Sequence, residues 1–348
     1  MTSTKQTTPP SEVIMNKSVL SLALVATLSA GYVADTVACT SAIYNNGEAS
    51  LTVRTMDWFG HDDAIVVGAG KGIANQYGDT AESIKTESKY ASLKIKSFAP
   101  QLVAEAMNEN GLVARILYLG NDYTEMAPDR AGVPDVAASQ FPNYAVDNFA
   151  SVADVVSNLD DIDVIQDKVC DLPGHENECI AAPVHYHLTD ASGDSAVIEF
   201  VKGEVKIYHG DVTEAASVQY LSNDPEFGFH MNLDKEQTES GSTIRAYDRR
   251  LRAKEVIEDM YARNVTDNTL ALNSLKAAGA SVFAGYDQLD PYANDVFPTL
   301  WTIYTDQNAK EIYLDRYDTW QVEQYDFTMF NNDEAKEVVL GAHPSTDK

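Results

Sequence analysis

The chain has 348 residues, 44% of them apolar, which is enough to bury a sizeable core and fits one large domain or two small ones. Its formal charge is −28 at neutral pH. A surface that acidic repels phosphate backbones, so DNA and RNA are excluded as partners; spread along the chain, the charge reads as a heavily hydrated exterior.

The first apolar run covers residues 19–30. It follows Lys17 and leads through small residues to Thr36-Val37-Ala38. A basic residue, a short apolar stretch and a small-residue exit form the pattern of a secretion signal. The run is too short to span a bilayer, and no later segment is long enough either. Residues 1–38 are therefore expected to be a signal peptide or pro-segment, with Met15 as the true start. Residues 39–348 are expected to be a single domain, periplasmic or secreted.

Strand patterns dominate the next stretch. Residues 40–44 and 50–55 flank Asn45-Asn46-Gly47-Glu48, and Asn-Gly is a strong hairpin signal. A two-residue loop there pairs Asn45 with Glu48 and sets Cys39 opposite Arg54. Residues 93–98 alternate, and Asn110-Gly111 precedes a strand over 112–119. A helix is expected around 144–159. Strands follow over 185–189, 196–201 and 204–208, then a long charged helix over 243–263 and a second over 270–278. The tail returns to strands at 300–304 and 311–317. Hairpins around blocks of helix argue for antiparallel sheets covered by helices, an α+β layered domain.

Three cysteines remain. Cys170 and Cys179 bracket a short polar loop containing Pro173-Gly174, which in an exported chain reads as a hairpin disulfide. A metal reading would recruit His175, but no fourth ligand stands nearby, and no metal is expected. That pairing leaves Cys39 over, and an odd cysteine in an exported protein asks for a chemical reason.

Cleavage between Ala38 and Cys39 would give Cys39 a free α-amine, whose unperturbed pKa is about 8. Such an amine can accept the thiol proton and later return it to a leaving group, so one residue supplies nucleophile and base. Arg54 beside the thiol would favour thiolate, and Asp57 could hold the new α-ammonium group. His61, His185, His187, His209 and His230 show no triad-like pattern. Two blander readings of Cys39 are a small buried hydrophobe and a lipid anchor. Thr36-Val37-Ala38-Cys39 loosely resembles a lipoprotein signal, with Thr36 where Leu is usual.

Cys39-Thr40-Ser41 with Arg54-Thr55-Met56-Asp57-Trp58 resembles the opening of the choloylglycine hydrolase family, which includes penicillin V acylases and conjugated bile acid hydrolases. Residues 107–112, Met-Asn-Glu-Asn-Gly-Leu, look like the family's M-N-E-x-G-L segment. Residues 221–227 resemble L-T-N-x-P-x-F, and residues 248–253 resemble S/D-R-F-x-R-A. The likeness runs from Cys39 to about Ala253.

The resemblance implies a four-layer αββα sandwich of two antiparallel sheets, with no cofactor. It implies Cys39 as the nucleophile and its own amine as the base, Arg54 supporting the thiolate, Asp57 orienting the amine and Asn223 donating to the oxyanion. Tyr118 falls at the other oxyanion-hole position, and Arg249 would complete the polar network. Trp58, Phe59 and Tyr118 are candidates for an apolar acyl pocket. Bile-salt members usually carry Asn where Tyr118 stands, so this chain leans towards the penicillin V acylase side. The span between Asn223 and Arg249 is short, lacking the excursion that helps assemble the tetramers of Gram-positive members; a homo-oligomer, tetramer or dimer, remains the partner expectation. The expected activity is hydrolysis of a linear amide of small-molecule size: penicillin V, an N-acyl homoserine lactone or a conjugated bile acid. The alternative of another class is a non-catalytic exported binding protein anchored at Cys39.

Overall fold

Two antiparallel sheets lie face to face and carry most of the strand residues. The computed structural model describes residues 39–211, 216–237, 239–290 and 295–344. The expected signal segment, residues 1–38, lies outside the described residues.

The six-stranded sheet runs in the order β12 (Tyr220–Ser222), β1 (Thr40–Asn45), β2 (Ser50–Asp57), β13 (Thr299–Asp306), β14 (Glu311–Arg316) and β15 (Gln321–Asp326). The eight-stranded sheet runs β11 (Glu204–Asp211), β10 (Asp194–Val201), β9 (Val184–Thr189), β6 (Val113–Tyr118), β5 (Val103–Asn108), β4 (Ser92–Lys96), β3 (Ile65–Ala69) and β16 (Glu337–Gly341). Every pairing within the two sheets is antiparallel. A small hairpin, β7 (Lys168–Cys170) with β8 (Cys179–Ala181), stands apart from both.

Helices cover the outer faces. α1 (Phe141–Asn148) packs on β5 and β6. The predicted helix over 144–159 is two pieces, because α2 (Val152–Ser157) starts afresh at Ser151, whose side chain accepts from the Asp154 amide. A short α3 (Phe227–Leu233) follows β12. On the other sheet lie α4 (Ala246–Ala262) and α5 (Asn268–Ser281), the latter capped by Asp267. The order is helix, sheet, sheet, helix: the αββα arrangement. No described helix is long and apolar enough to cross a membrane.

β1 and β2 are buried on both faces, and their alternation shows why. Ala42, Tyr44, Leu51 and Val53 point towards α4 and α5 and share a core with Ile257 and Leu275. Ser41, Thr52, Arg54 and Met56 point the other way, between the sheets.

The hairpin register differs from the two-residue expectation. Asn45 pairs with Ser50 and Ser41 with Arg54, so the connection has four residues. Asn46 explains this: its side-chain oxygen accepts from the amides of Glu48 and Ala49, an Asx turn closed by Gly47 at φ +87°. The partner of Arg54 is thus Ser41 rather than Cys39. A shift of two residues preserves side-chain parity, so Arg54 and Cys39 still share a face.

Cys170 and Cys179 are disulfide-bonded across β7 and β8. The bridge closes a loop with a sequence separation of nine residues. Replacing both cysteines by Ala should lower stability by about 2–3 kcal/mol through regained freedom of the unfolded chain. Urea denaturation should show a lower midpoint and, under reducing conditions, no difference between variant and parent.

Candidate active site

Cys39 stands immediately before β1, only 3% exposed, between the two sheets. Its sulfur lies 3.7 Å from Arg54 Nη2, 3.9 Å from the Met56 sulfur and 3.9 Å from the Asp57 carbonyl oxygen. The same Arg54 nitrogen donates to the Ile116 carbonyl of the facing sheet at 3.1 Å. The guanidinium lies 4.7 Å above the Trp301 ring, which shields one of its faces. Arg54 Nε and Nη1 are buried without a protein partner among the described residues.

Burial pushes the Cys39 thiol above its ordinary pKa; Arg54 pulls it down, and Asp57 adds a further upward push. Arg54 thus acts in the expected direction, favouring thiolate, and desolvation outweighs it while the residue stays buried. Such a thiol needs a base to take its proton.

Asp57 ends β2 and is wholly buried. Its carboxylate accepts from Arg249 Nη2 at 2.6 Å, from Thr55 Oγ1 at 2.9 Å and from Thr299 Oγ1. Burial raises its pKa, and Arg249 leads the groups that oppose the rise. Thr299 reaches it because a bulge between Thr299 and Trp301 adds a residue to β13 at that level. Thr55 also accepts from the Thr40 amide at 3.1 Å, so the start of β1 and the carboxylate share one hydroxyl.

Arg249 reaches the site from α4. Ala246, Arg249, Arg250, Ala253, Ile257 and Met260 form one buried stripe at helical spacing. Both arginines on that stripe point inward: Arg249 to Asp57 and the Val282 carbonyl, Arg250 to both Asp234 carboxylate oxygens and the Tyr220 carbonyl. The run of arginines along 245–252 reads as a solvated helix; two of them are core residues instead.

Asn223 follows β12. Because Ser222 pairs with Thr40, Asn223 sits at the level of Cys39. The Ser222 hydroxyl donates to the Cys39 carbonyl at 2.7 Å, and the Asn223 carbonyl meets His230 Nε2 at 3.0 Å. Tyr118 ends β6 and packs edge-on against Trp58 at 5.6 Å.

A cavity of about 80 Å³ opens beside the thiol. Its walls include Cys39, Arg54, Met56, Trp58, Phe98, Leu102, Ile116, Tyr118, Val169, Leu172 and Ile180. They are almost entirely apolar, with the sulfur and guanidinium at one end. Trp58 is fixed by its Nε1 bond to the Pro173 carbonyl, which ties it to the disulfide hairpin. Phe59, expected in the pocket, packs behind Trp58 against Phe297 and does not line the cavity. The loop turns there, so the next side chain points away.

The structure thus brings Cys39, Arg54, Asp57 and Arg249 into one connected cluster, with Asn223 at its level and Tyr118 and Trp58 on the cavity wall. The sequence reading did not single out Met56, Thr55, Ser222 or Thr299. Thr55 and Met56 lay inside a recognised segment without a role; Thr299 has no local signal, since only the bulge brings it to Asp57.

A cysteine with a guanidinium at its side, opening on an apolar cavity within an αββα frame, is the arrangement of a hydrolase that attacks an amide carbonyl. Residues 39–252 match the linear amide C–N hydrolases of the choloylglycine hydrolase family, and the chain belongs to it. It is an amidohydrolase acting on linear amides. It is 28% identical over 270 residues to the penicillin V acylase of Pectobacterium atrosepticum, a match that spans 74% of this chain and 67% of that relative. Among solved structures it is similar to penicillin V acylase from Agrobacterium tumefaciens, with a TM-score of 0.72 and 25% identity over 87% of this chain and 92% of that one. A mutant of conjugated bile acid hydrolase from Clostridium perfringens shares the fold at a TM-score of 0.72, with 17% identity over 87% of this chain and 96% of that one.

With residues 1–38 attached, the raised thiol pKa predicts that iodoacetamide labelling of Cys39 rises with pH to a midpoint above that of a free cysteine. Arg54→Met removes the main lowering influence and should move the midpoint further up. A midpoint that falls in the variant would contradict the assigned charge effect. Arg249→Met strands a buried carboxylate and should cost about 3–5 kcal/mol in a denaturation experiment.

Proposed function

We propose that the working enzyme begins at Cys39 and hydrolyses N-acyl bonds of the penicillin V class. The observation that carries this reading is the Cys39 sulfur at the mouth of an apolar cavity, 3.7 Å from a guanidinium with buried donors to spare. The signal-like run before Cys39 supports removal of residues 1–38 during export to the periplasm or exterior.

In this mechanism the freed α-amine takes the thiol proton as sulfur bonds to the substrate carbonyl carbon. The carbonyl electron pair moves to oxygen, where the Asn223 side chain and the level of Tyr118 supply donors. The carbon–nitrogen bond then breaks, the α-ammonium returns the proton to the leaving amine, and a thioester remains. Water, deprotonated by the same amine, displaces the thiol and releases the acid. Arg54 offsets negative charge on sulfur, and Asp57 fixes the chain start.

The apolar walls suit an acyl group that is aromatic or aliphatic and uncharged, as in penicillin V and N-acyl homoserine lactones. Tyr118 and Trp58 narrow the space beside the thiol, which favours these over the bulky steroid of a conjugated bile acid. N-terminal sequencing with intact mass should give a chain starting at a free Cys39; a diacylglyceryl group there would support the anchored binding protein instead. Amine release should rank penicillin V and acyl homoserine lactones above bile-salt conjugates, and bile-salt turnover alone would reverse the ranking. Cys39→Ser should lose at least about a hundredfold in kcat, because a hydroxyl is far less acidic than a thiol.

A further inference from the structure

A second cluster of reactive side chains lies on the outside of the loop that follows β2. Within that loop Asp62 turns inward, accepting from Trp301 Nε1 at 2.7 Å, Ser97 Oγ at 2.5 Å and the Phe98 amide at 3.0 Å. Its neighbours His61 and Asp63 therefore face outward. There they meet Asp318, from the turn between β14 and β15, and His343, two residues past β16.

Asp318 Oδ2 lies 3.4 Å from His61 Nδ1 and 2.8 Å from His343 Nε2. One ligand atom from each of these three residues falls within 4.8 Å of the others. The remaining ring nitrogens both turn to another carboxylate: Asp63 Oδ1 is 2.8 Å from His61 Nε2 and 3.6 Å from His343 Nδ1. The two rings stand edge to face at 4.6 Å.

We propose that His61, Asp318 and His343 bind one divalent ion of the zinc class, with Asp63 orienting both imidazoles from outside. Each histidine offers one nitrogen to a point shared with Asp318 and gives the other to a carboxylate, the carboxylate–histidine–metal pattern. Bonds of about 2.0–2.1 Å in a tetrahedral site set neighbouring ligand atoms about 3.3 Å apart, close to the two histidine–Asp318 separations. Two imidazoles and one carboxylate suit zinc, cobalt or nickel, and leave a fourth position for water. The nearby guanidinium of Arg316 is directed elsewhere, to the Ala64 carbonyl at 2.8 Å and Glu323 at 3.1 Å. A net charge of −28 concentrates cations at the surface.

The three ligands come from the β2–β3 loop, a turn of the six-stranded sheet and the segment after the last strand of the eight-stranded sheet. A bound ion would join both sheets and brace the loop that carries Trp58, a cavity wall.

The test uses the full chain carrying Cys39→Ala, so that the catalytic thiol cannot take the metal, stripped with EDTA and titrated with zinc chloride. We expect one equivalent bound by calorimetry and a raised melting temperature. His61→Ala, at an exposed position that leaves the fold intact by circular dichroism, should weaken binding at least a hundredfold and abolish the thermal shift. Asp63→Asn should weaken it about ten- to a hundredfold. Absence of stoichiometric binding, or unchanged affinity in His61→Ala, would overturn the site and leave a metal-free ring of hydrogen-bonded side chains. Amide hydrolysis is read separately, so either result leaves the proposed reaction to stand or fall on its own experiments.

Discussion

Everything at this site depends on a polar seam buried between two otherwise apolar sheets. Arg54 of the six-stranded sheet bonds the Ile116 carbonyl of the other. Arg115 of the eight-stranded sheet bonds Ser41 at 2.7 Å and Thr52 at 3.0 Å in return, and faces Glu105 at 3.5 Å. His187 meets Ser41 at 2.9 Å and is held neutral, because burial and Arg115 drive its pKa well below the usual value. The seam therefore sets Arg54 alongside the Arg115–Glu105 pair. Burial opposes both kinds of charge, lowering the Arg115 pKa and raising that of Glu105. The sulfur of Cys39 is the group set beside Arg54, 3.7 Å from its Nη2.

A second, neutralised pair works alongside it. Asp57 and Arg249 cancel within the core, and two threonine hydroxyls complete the carboxylate. Their role is rigidity: the last residue of β2, the first amide of β1 and the inner face of α4 are tied to one point. The apolar cavity then begins where these polar groups end, so the reacting bond and the acyl group meet different surroundings.

Much of this was legible in the residues themselves. Strand and helix blocks follow the hydrophobic pattern, and two Asn-Gly turns mark hairpins; the ordered fragments around Cys39, Arg54, Asn223 and Arg249 pointed to the chemistry. The register of the first hairpin was not legible, because it depends on the Asn46 side chain capturing two amides rather than on the dipeptide alone. Burial of Arg249 and Arg250 was readable from the spacing of Ala246, Ala253, Ile257 and Met260, but the density of charge masked it. Thr299 was not readable at all, since a bulge 242 residues from Asp57 decides its position. The sign of the Cys39 shift also required the fold: the sequence supplies a neighbouring cation, and only depth sets the opposing desolvation.

The reach of that carboxylate has a consequence for how the site is assembled. Asp57 lies near the start of the described chain, whereas Arg249 and Thr299, which hold its carboxylate, come from its last third. The polar surroundings of Cys39 are therefore complete only once residues 242 apart in sequence have met.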